Sequence, residues 1–501
     1  MELHVNPAAE GLSAPAPGRA WPMTRPQLAI CGLLALLLVL RLAAMAGLPL
    51  MDTTEARYGE IGRKMMVFDD WVTPWFDIGV PFWGKPPMSF WATAASMRLL
   101  GISEFAARLP HLLCGGGIAL LVWQFARRRG DAREALLAVA LLGGAALFFV
   151  SVGAVMTDTV MVLCTTAALC SFWFALHAAD EARRRRHGWM FFIALGMGLL
   201  AKGPVAVVLA GLPVVLWTML QRRVGDTWRA LPWLRGSLLA LALAAPWYLL
   251  AEQRTPGFIN YFIVGEHWHR FFTPGWSGDR YGHAHQMPIG SIWVFAWGAL
   301  LPWSLLVPLA AWRWRRVRVA DEQASLRLYL WLWALLPLLF FTAARNIIWT
   351  YALPSLPAVA LLMARWLVLR SAHAEAWVAA GLAAALLGGV VGLGRLGLDR
   401  HQDQRSARHL VQAYLAEAKA GEPLLYLAQR PYSAAFYSQG RALQIPGLAA
   451  LPAALGQQAG YVALESKLDM TQDLQDIGLQ LEHRVCCFGD EQLLRVRAKA
   501  P

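Results

Sequence analysis

The stretch LAICGLLALLLVLRLAAMAGLPLMDTTEARYGEI, residues 28–61, sets a long apolar run directly against a carboxylate-rich, Arg- and Tyr-bearing segment. Crossing a bilayer as a helix takes about 20 predominantly apolar residues, and this run is long enough. It ends without a small-residue cleavage site, which predicts a retained membrane helix rather than a removed signal peptide. The rest of the chain repeats the apolar half of this pattern. Of 501 residues, 57% are hydrophobic and only 15% charged, and 24 are Trp. Soluble domains carry about 25% charged residues, so the composition predicts a polytopic membrane protein. About eleven apolar segments can be counted, at residues 28–50, 112–126, 136–150, 160–176, 189–201, 205–220, 238–251, 292–311, 328–342, 347–363 and 377–393.

A net charge of +13 raises the question of nucleic acid, and the placement of the arginines answers it. Residues 127–129 with Arg133, residues 183–186, Arg222 with Arg223, Arg229 and Arg235, Arg313 with Arg315, Arg316 and Arg318, and Arg365 with Arg370 fill every second loop. They share a side with Arg19 and Arg25. This is the positive-inside pattern, so the basic excess reports topology and nucleic acid is not a partner. It predicts a cytoplasmic N-terminal tail over residues 1–26 and a transmembrane domain over 27–394. Loops 51–108 and 253–288 would lie outside, with a soluble α/β domain over 395–501, periplasmic if the membrane is a bacterial inner membrane. Four of the six cysteines lie in apolar segments and no C-x-x-C pair occurs, so no zinc framework can be read.

The carboxylates that matter for chemistry fall on the outer side. Asp52 and Glu55 have capping-box spacing, which predicts reciprocal bonds at a helix start. The same two carboxylates are candidate general bases where a lipid-borne substrate would arrive. Lys85, in WVTPWFDIGVPFWGKPPMSFW (residues 71–91), is fixed between Gly84 and Pro86 and is a candidate cation for a phosphate leaving group; the alternative is a snorkelling lysine. Asp158 opens a membrane segment, as a cap or as an acid with a role, since acids at that depth are costly without one. Lys202 breaks two apolar runs as an interfacial anchor or a second phosphate contact. In GEHWHRFFTPGWSGDRYGHAHQMP (residues 265–288), Arg270 beside two Phe is a phosphate-clamp candidate. His267 and His285, from two His-x-His pairs, leave a divalent metal or an acceptor loop open. Tyr351 sits near the outer face before a Pro-bent helix.

DTTEARYGEIGRKM, DWVTPWFDIGVPFWGKPP, EFAARLP, AKGP, HWHRFFTPGW and YALPSLP, in this order, resemble the bacterial glycosyltransferases of families 39 and 83. These are the 4-amino-4-deoxy-L-arabinose lipid A transferases and their protein O-mannosyltransferase relatives. The resemblance covers about residues 28–365, and RPYSAAFYSQGR (residues 430–441) resembles the tail of the arabinose transferases. It implies a GT-C fold, a sugar donor on undecaprenyl phosphate, and a lipid A or protein acceptor. It implies an acidic base at Glu55 or Asp52, Asp158 as a second acid, and Lys85, Arg57 and Arg270 near the donor phosphate. Two positions depart from the pattern. Thr54-Glu55 stands where an acidic pair precedes Arg-Tyr, and Gly84 stands where a Glu precedes Lys-Pro. A flippase or transporter is the other class, but it predicts ionisable residues deep in several helices and an internal repeat, neither of which is read here.

Overall fold

A computed structural model describes residues 23–273, 276, 278–282, 286–308, 321–427 and 429–499. Helix α1 (Arg25–Gly47) opens on a capping box, with the Thr24 amide donating to Gln27 Oε1 at 3.1 Å, and has Pro in its first turn. After α1 the chain turns into α2 (Thr54–Val67), which is short, charged and largely buried. Helix α3 (Met88–Leu100) packs on α2, and the approach is close. A Cβ at Gly62 would lie 2.8 Å from the Thr93 side chain. Between them β1 (Trp75–Asp77) and β2 (Val80–Pro81) form a small antiparallel hairpin.

The helical core follows: α4 (Glu104–Arg129), α5 (Ala132–Gly143), α6 (Ala146–Ser151), α7 (Thr157–Leu176), α8 (Glu181–Lys202) and α9 (Pro204–Leu220). After the short α10 (Val224–Ala230) come α11 (Trp233–Arg254), a π-helical stretch Asn260–His269, α12 (Arg270–Phe272) and α13 (Ser291–Ala299). Then α14 (Asp321–Thr342), α15 (Leu356–Arg370) and α16 (Ala374–Leu396) complete the bundle. Every apolar segment read from the sequence contains helix. Among the described residues, seven helical stretches are long and apolar enough to cross a membrane, and Pro204–Leu220 is a shorter apolar helix. The segment 136–150 is split into α5 and α6 at Gly144, where a Cβ would meet the Trp303 ring at 2.7 Å. The segment 292–311 is helical to Ala299 and then turns; the arginines at 313–318 lie outside the described residues. This is a multi-pass membrane protein.

The tail carries the α/β unit expected from the sequence. Strands β3 (Leu424–Leu427), β4 (Ala442–Ile445), β5 (Gly460–Glu465), β6 (Leu479–Phe488) and β7 (Glu491–Ala498) form one sheet in the order β4-β3-β5-β7-β6. The β4-β3-β5 part is parallel, while β7 runs antiparallel to β5 and β6. A short helix, Tyr432–Tyr437, docks on α2, and its Phe436 enters the same apolar cluster as Tyr58, Phe82 and Phe90. The Leu50 amide donates to the Tyr437 hydroxyl at 2.7 Å, and Arg430 reaches Asp77 at 2.9 Å.

Candidate functional site

A cavity of about 1360 Å³ lies between one end of the helix bundle and the tail sheet. On the bundle side, α2, the Gly84-Lys85 turn, the start of α7 and the end of α8 supply its wall, and the π-helical stretch and its following loop close it. Lys85 Nζ donates to Glu266 Oε2 at 2.9 Å and also to the Gly84 carbonyl. Arg270 Nη1 lies 2.9 Å from both Glu266 oxygens, and Nη2 is 3.5 Å from Asp279. Two cations thus converge on one carboxylate whose side chain is 4% exposed. Burial alone would raise the Glu266 pKa, but Lys85 and Arg270 outweigh it and hold the carboxyl below its ordinary range. Burial alone would lower the Lys85 pKa, but Glu266 outweighs it and the net shift is upward. The cluster therefore stays charged at neutral pH.

A second pair stands on the same wall. Asp158, in the first turn of α7, accepts from Lys202 Nζ at 2.5 Å, and the Lys202 ammonium sits 4.7 Å from the Tyr351 ring centroid. Tyr351 lines the same cavity as Lys85 and Arg270. Arg57 donates to the Tyr281 carbonyl at 2.5 Å and lies over the Tyr58, Phe82 and Tyr432 rings. Arg280 lies 4.5 Å from the Trp83 ring centroid. Cations over aromatic faces are attracted by the ring quadrupole, which holds these guanidinium groups in place.

The two carboxylates of the first outer loop do not act as a capping box. Helix α2 begins at Thr54 with Thr53 before it, and no side chain caps it. Asp52 instead accepts from the amide and hydroxyl of Ser433 in the tail, while its own amide donates to the Arg405 carbonyl at 2.7 Å. It lines the cavity, and burial raises its pKa to about 6 although Ser433 opposes the shift. Glu55 turns away into a bidentate pair with Arg108, both contacts 2.8 Å, and accepts the Met51 and Val155 amides at 3.2 Å. Its side chain is 13% exposed and that of Arg108 is 3% exposed. Burial would raise the Glu55 pKa, but Arg108 and the amides lower it on balance. A carboxylate so satisfied makes a poor proton acceptor, and Glu55 is not on the cavity wall.

Of the sequence-read candidates, Asp52, Arg57, Lys85, Asp158, Lys202, Arg270 and Tyr351 all line the cavity. His267 is turned to the Phe262 carbonyl, with Nδ1 at 2.7 Å, and His285 lies outside the described residues. Among the described residues, no three His, Cys, Asp or Glu side chains form a group that could hold a metal ion. Glu266, Asp279 and Arg280 were passed over in the sequence. Glu266 had a signal, its i,i+4 spacing to Arg270. The π-helical stretch that presents it had none; π turns recur at functional sites. On the tail side, Glu491 also lines the cavity, and burial and the Asp52 charge raise its pKa to about 7.

An α-helical membrane bundle with a cation–carboxylate cluster under a soluble cap defines the class, a GT-C fold. The comparisons bear out the resemblance read from the motifs. Residues 31–262 match the family described as dolichyl-phosphate-mannose-protein mannosyltransferase. The chain is 32% identical over 321 residues to an undecaprenyl phosphate-alpha-4-amino-4-deoxy-L-arabinose arabinosyl transferase of Aeromonas hydrophila, covering 63% of this chain and 56% of that one. It is 33% identical over 363 residues to a transferase of the same name from Pseudomonas fluorescens, covering 68% and 59%. The chain thus spans less than two thirds of the length of the curated relatives it matches. The crystal structure of ArnT from Cupriavidus metallidurans bound to undecaprenyl phosphate superposes with a TM-score of 0.76 at 20% identity, over 93% of this chain and 97% of that one. The apo structure of the same protein gives 0.74. The fold is shared across nearly the whole length of both chains.

Proposed function

We propose that this protein is a membrane glycosyltransferase of the bacterial inner membrane, with its N-terminus cytoplasmic and its tail periplasmic. It moves a sugar from a polyprenyl-phosphate donor to a lipid A-like or protein acceptor. The observation that carries this reading is the set of three cations in two ion-paired clusters, Lys85–Glu266–Arg270 and Lys202–Asp158, on one cavity wall at the end of a helix bundle. The likeness to a structure holding undecaprenyl phosphate and to relatives named arabinosyl transferases supports it. In the reaction an acceptor hydroxyl attacks the anomeric carbon, the bond from that carbon to the phosphate oxygen breaks, and polyprenyl phosphate leaves with the electron pair. Lys85 and Arg270 stabilise the charge on the departing phosphate. Asp158 takes the acceptor proton. Glu55 is held by Arg108 off the cavity wall and Asp52 by the Ser433 amide and hydroxyl of the tail, whereas the Asp158 carboxylate stands on the bundle wall with Lys202 as its one hydrogen-bond partner among the described residues. Inversion at the anomeric carbon follows from one displacement. Aromatic side chains around the wall exclude water and so suppress donor hydrolysis. The gathering of charges at one end of the helices favours surface chemistry over transport.

The test uses purified full-length protein in detergent, radiolabelled undecaprenyl-phosphate sugars and an envelope extract. Label is expected in a lipid or protein fraction, and Asp158→Asn should lower it by about 100-fold or more, the usual contribution of a catalytic base. No transfer from any donor, or full transfer by Asp158→Asn, would overturn the corresponding part.

A further inference from the structure

Apart from Arg25 at its first position, α1 carries one charged residue, Arg41. An ionisable side chain within a membrane helix is costly, faces the bundle interior and marks function by default. Arg41 does face inward, with 6% of the residue exposed, yet it does not line the cavity. Its Nη2 donates to the Gly153 carbonyl at 2.5 Å, and its guanidinium carbon lies 5.5 Å from the Phe149 ring centroid. Its Nε is buried without a partner. A guanidinium that leaves one of its five donors buried and unmet is not placed for stability alone.

The Arg41 bond falls on the segment that delivers Asp158. Residues 152–156 join α6 to α7, and Met156, Thr157 and Asp158 then form part of the cavity wall. This segment has little of its own to hold it. Its turn bonds, from the Gly153 amide to the Val150 carbonyl and from the Ala154 amide to the Ser151 carbonyl, are 3.3 and 3.4 Å long. The usual N–H···O range ends at about 3.2 Å. No side chain caps α7. From outside the segment, Glu55 Oε1 accepts the Val155 amide at 3.2 Å, and Arg41 supplies the shorter, charge-assisted bond. The guanidinium also fills the space a side chain at residue 153 would need, since a Cβ there would overlap Arg41 Nε and Cζ. Glycine is required by this contact, because Gly153 does not have a left-handed backbone.

We propose that Arg41 is a positioning residue for Asp158. From within the first membrane helix it clamps the Gly153 carbonyl, and so fixes where the Asp158 carboxylate stands against Lys202 and an incoming acceptor hydroxyl. The proposal rests on the reading of Asp158 as the group that takes the acceptor proton. Rate is sensitive to such placement, and a misplacement of about 1 Å costs about 100-fold. The effect is confined to the chemical step, because Lys85, Glu266 and Arg270, which meet the donor phosphate in that reading, stand on other segments.

The experiment compares Arg41→Met, Arg41→Lys and Asp158→Asn in the full-length protein in detergent. Transfer from radiolabelled undecaprenyl-phosphate sugar gives the rate, and melting temperature reports folding. Arg41→Met should lower kcat about 100-fold, with KM for the donor within twofold of the parent. Its melting temperature should not fall, since the substitution removes a charge from an apolar helix. Arg41→Lys should recover about tenfold of the loss, because an ammonium can still donate to the Gly153 carbonyl. In the Asp158→Asn background, Arg41→Met should cost less than twofold more, because a residue that acts through Asp158 has nothing left to position. With Asp158→Asn inactive, three results would each overturn the inference and spare the base reading: parental kcat in Arg41→Met, a loss confined to KM, or an equal loss in both backgrounds. Full transfer by Asp158→Asn would instead remove the base reading, and the positioning role with it.

Discussion

Replacing Glu55 with glutamine separates a structural from a catalytic carboxylate. Arg108 donates to both Glu55 oxygens and also to the Met45, Leu48 and Pro49 carbonyls, at 2.6 to 3.0 Å. Those carbonyls lie at the exit of α1, where the last turn of a helix leaves acceptors without intrahelical donors. The pair therefore ties the first membrane helix to α2 and α4 at the point where the chain leaves the bundle. Removing one partner of such a pair leaves a buried charge uncompensated and costs about 3–5 kcal/mol. Solvent screens little of this, since the two side chains are 13% and 3% exposed. Glutamine keeps the shape and one acceptor, so Glu55→Gln should fall at the lower end, about 3 kcal/mol, and Glu55→Ala nearer the upper. At about 2 °C per kcal/mol for a large chain, the glutamine variant should melt about 6 °C below the parent. The 24 Trp make intrinsic fluorescence in detergent a direct readout. At a permissive temperature the folded fraction should retain transfer. A Glu55→Gln protein with unchanged melting temperature and no transfer would refute the reasoning and return Glu55 to the role of base.

Three further outcomes follow from the geometry. Lys85→Ala should lower transfer by about 100-fold or more, as loss of a donor to a developing oxyanion does, with Arg270→Ala comparable because both cations share Glu266; transfer within twofold of the parent would remove the leaving-group role. Asp52 and Glu491 have folded values raised to about 6 and about 7, so the stability they give the bundle–tail contact is fully present below about pH 4 and is lost as pH rises through 6 to 7. Melting temperature scanned between pH 5 and 8 should show this slope, and Glu491→Gln should flatten it; a slope unchanged in that variant would contradict the assignment. Gly489→Ala should destabilise the β6–β7 turn by at least about 1 kcal/mol, since it combines a left-handed backbone with a clash against Asp403, and proteolysis of the tail should then quicken.

How much of this was legible in the sequence depends on the range of the interaction. The membrane helices were readable because apolar length is a local property. The cavity cations were readable as unusual residues in interfacial loops, since Lys85, Lys202 and Arg270 stand out against their neighbours. Their partners were not. Glu266 lies 181 residues from Lys85, and Asp158 lies 44 from Lys202. The local reading of Asp52 and Glu55 as a capping box failed for the same reason. Each found a stronger partner far along the chain, Ser433 for one and Arg108 for the other, and those bonds outweigh a short-range cap.

The pairing of Lys85, Arg270 and Lys202 with carboxylates has a mechanistic consequence. Lys85 and Arg270 share Glu266, and Lys202 holds Asp158. Bare cations near a bilayer would be costly to bury and would bind any passing phosphate. Paired with carboxylates, they remain charged without a ligand. A phosphate must then compete with Glu266 for the same donors, which tempers ground-state binding. On the proposed reading, charge that builds on the leaving oxygen during transfer is worth more to Lys85 than a resting diester is, so the benefit would fall preferentially on the transition state. On that reading the departing monoester carries more charge than the donor diester did, and Glu266 would reclaim its cations as that product leaves. Glu266, which the sequence reading overlooked, would thereby set how tightly the site holds its product.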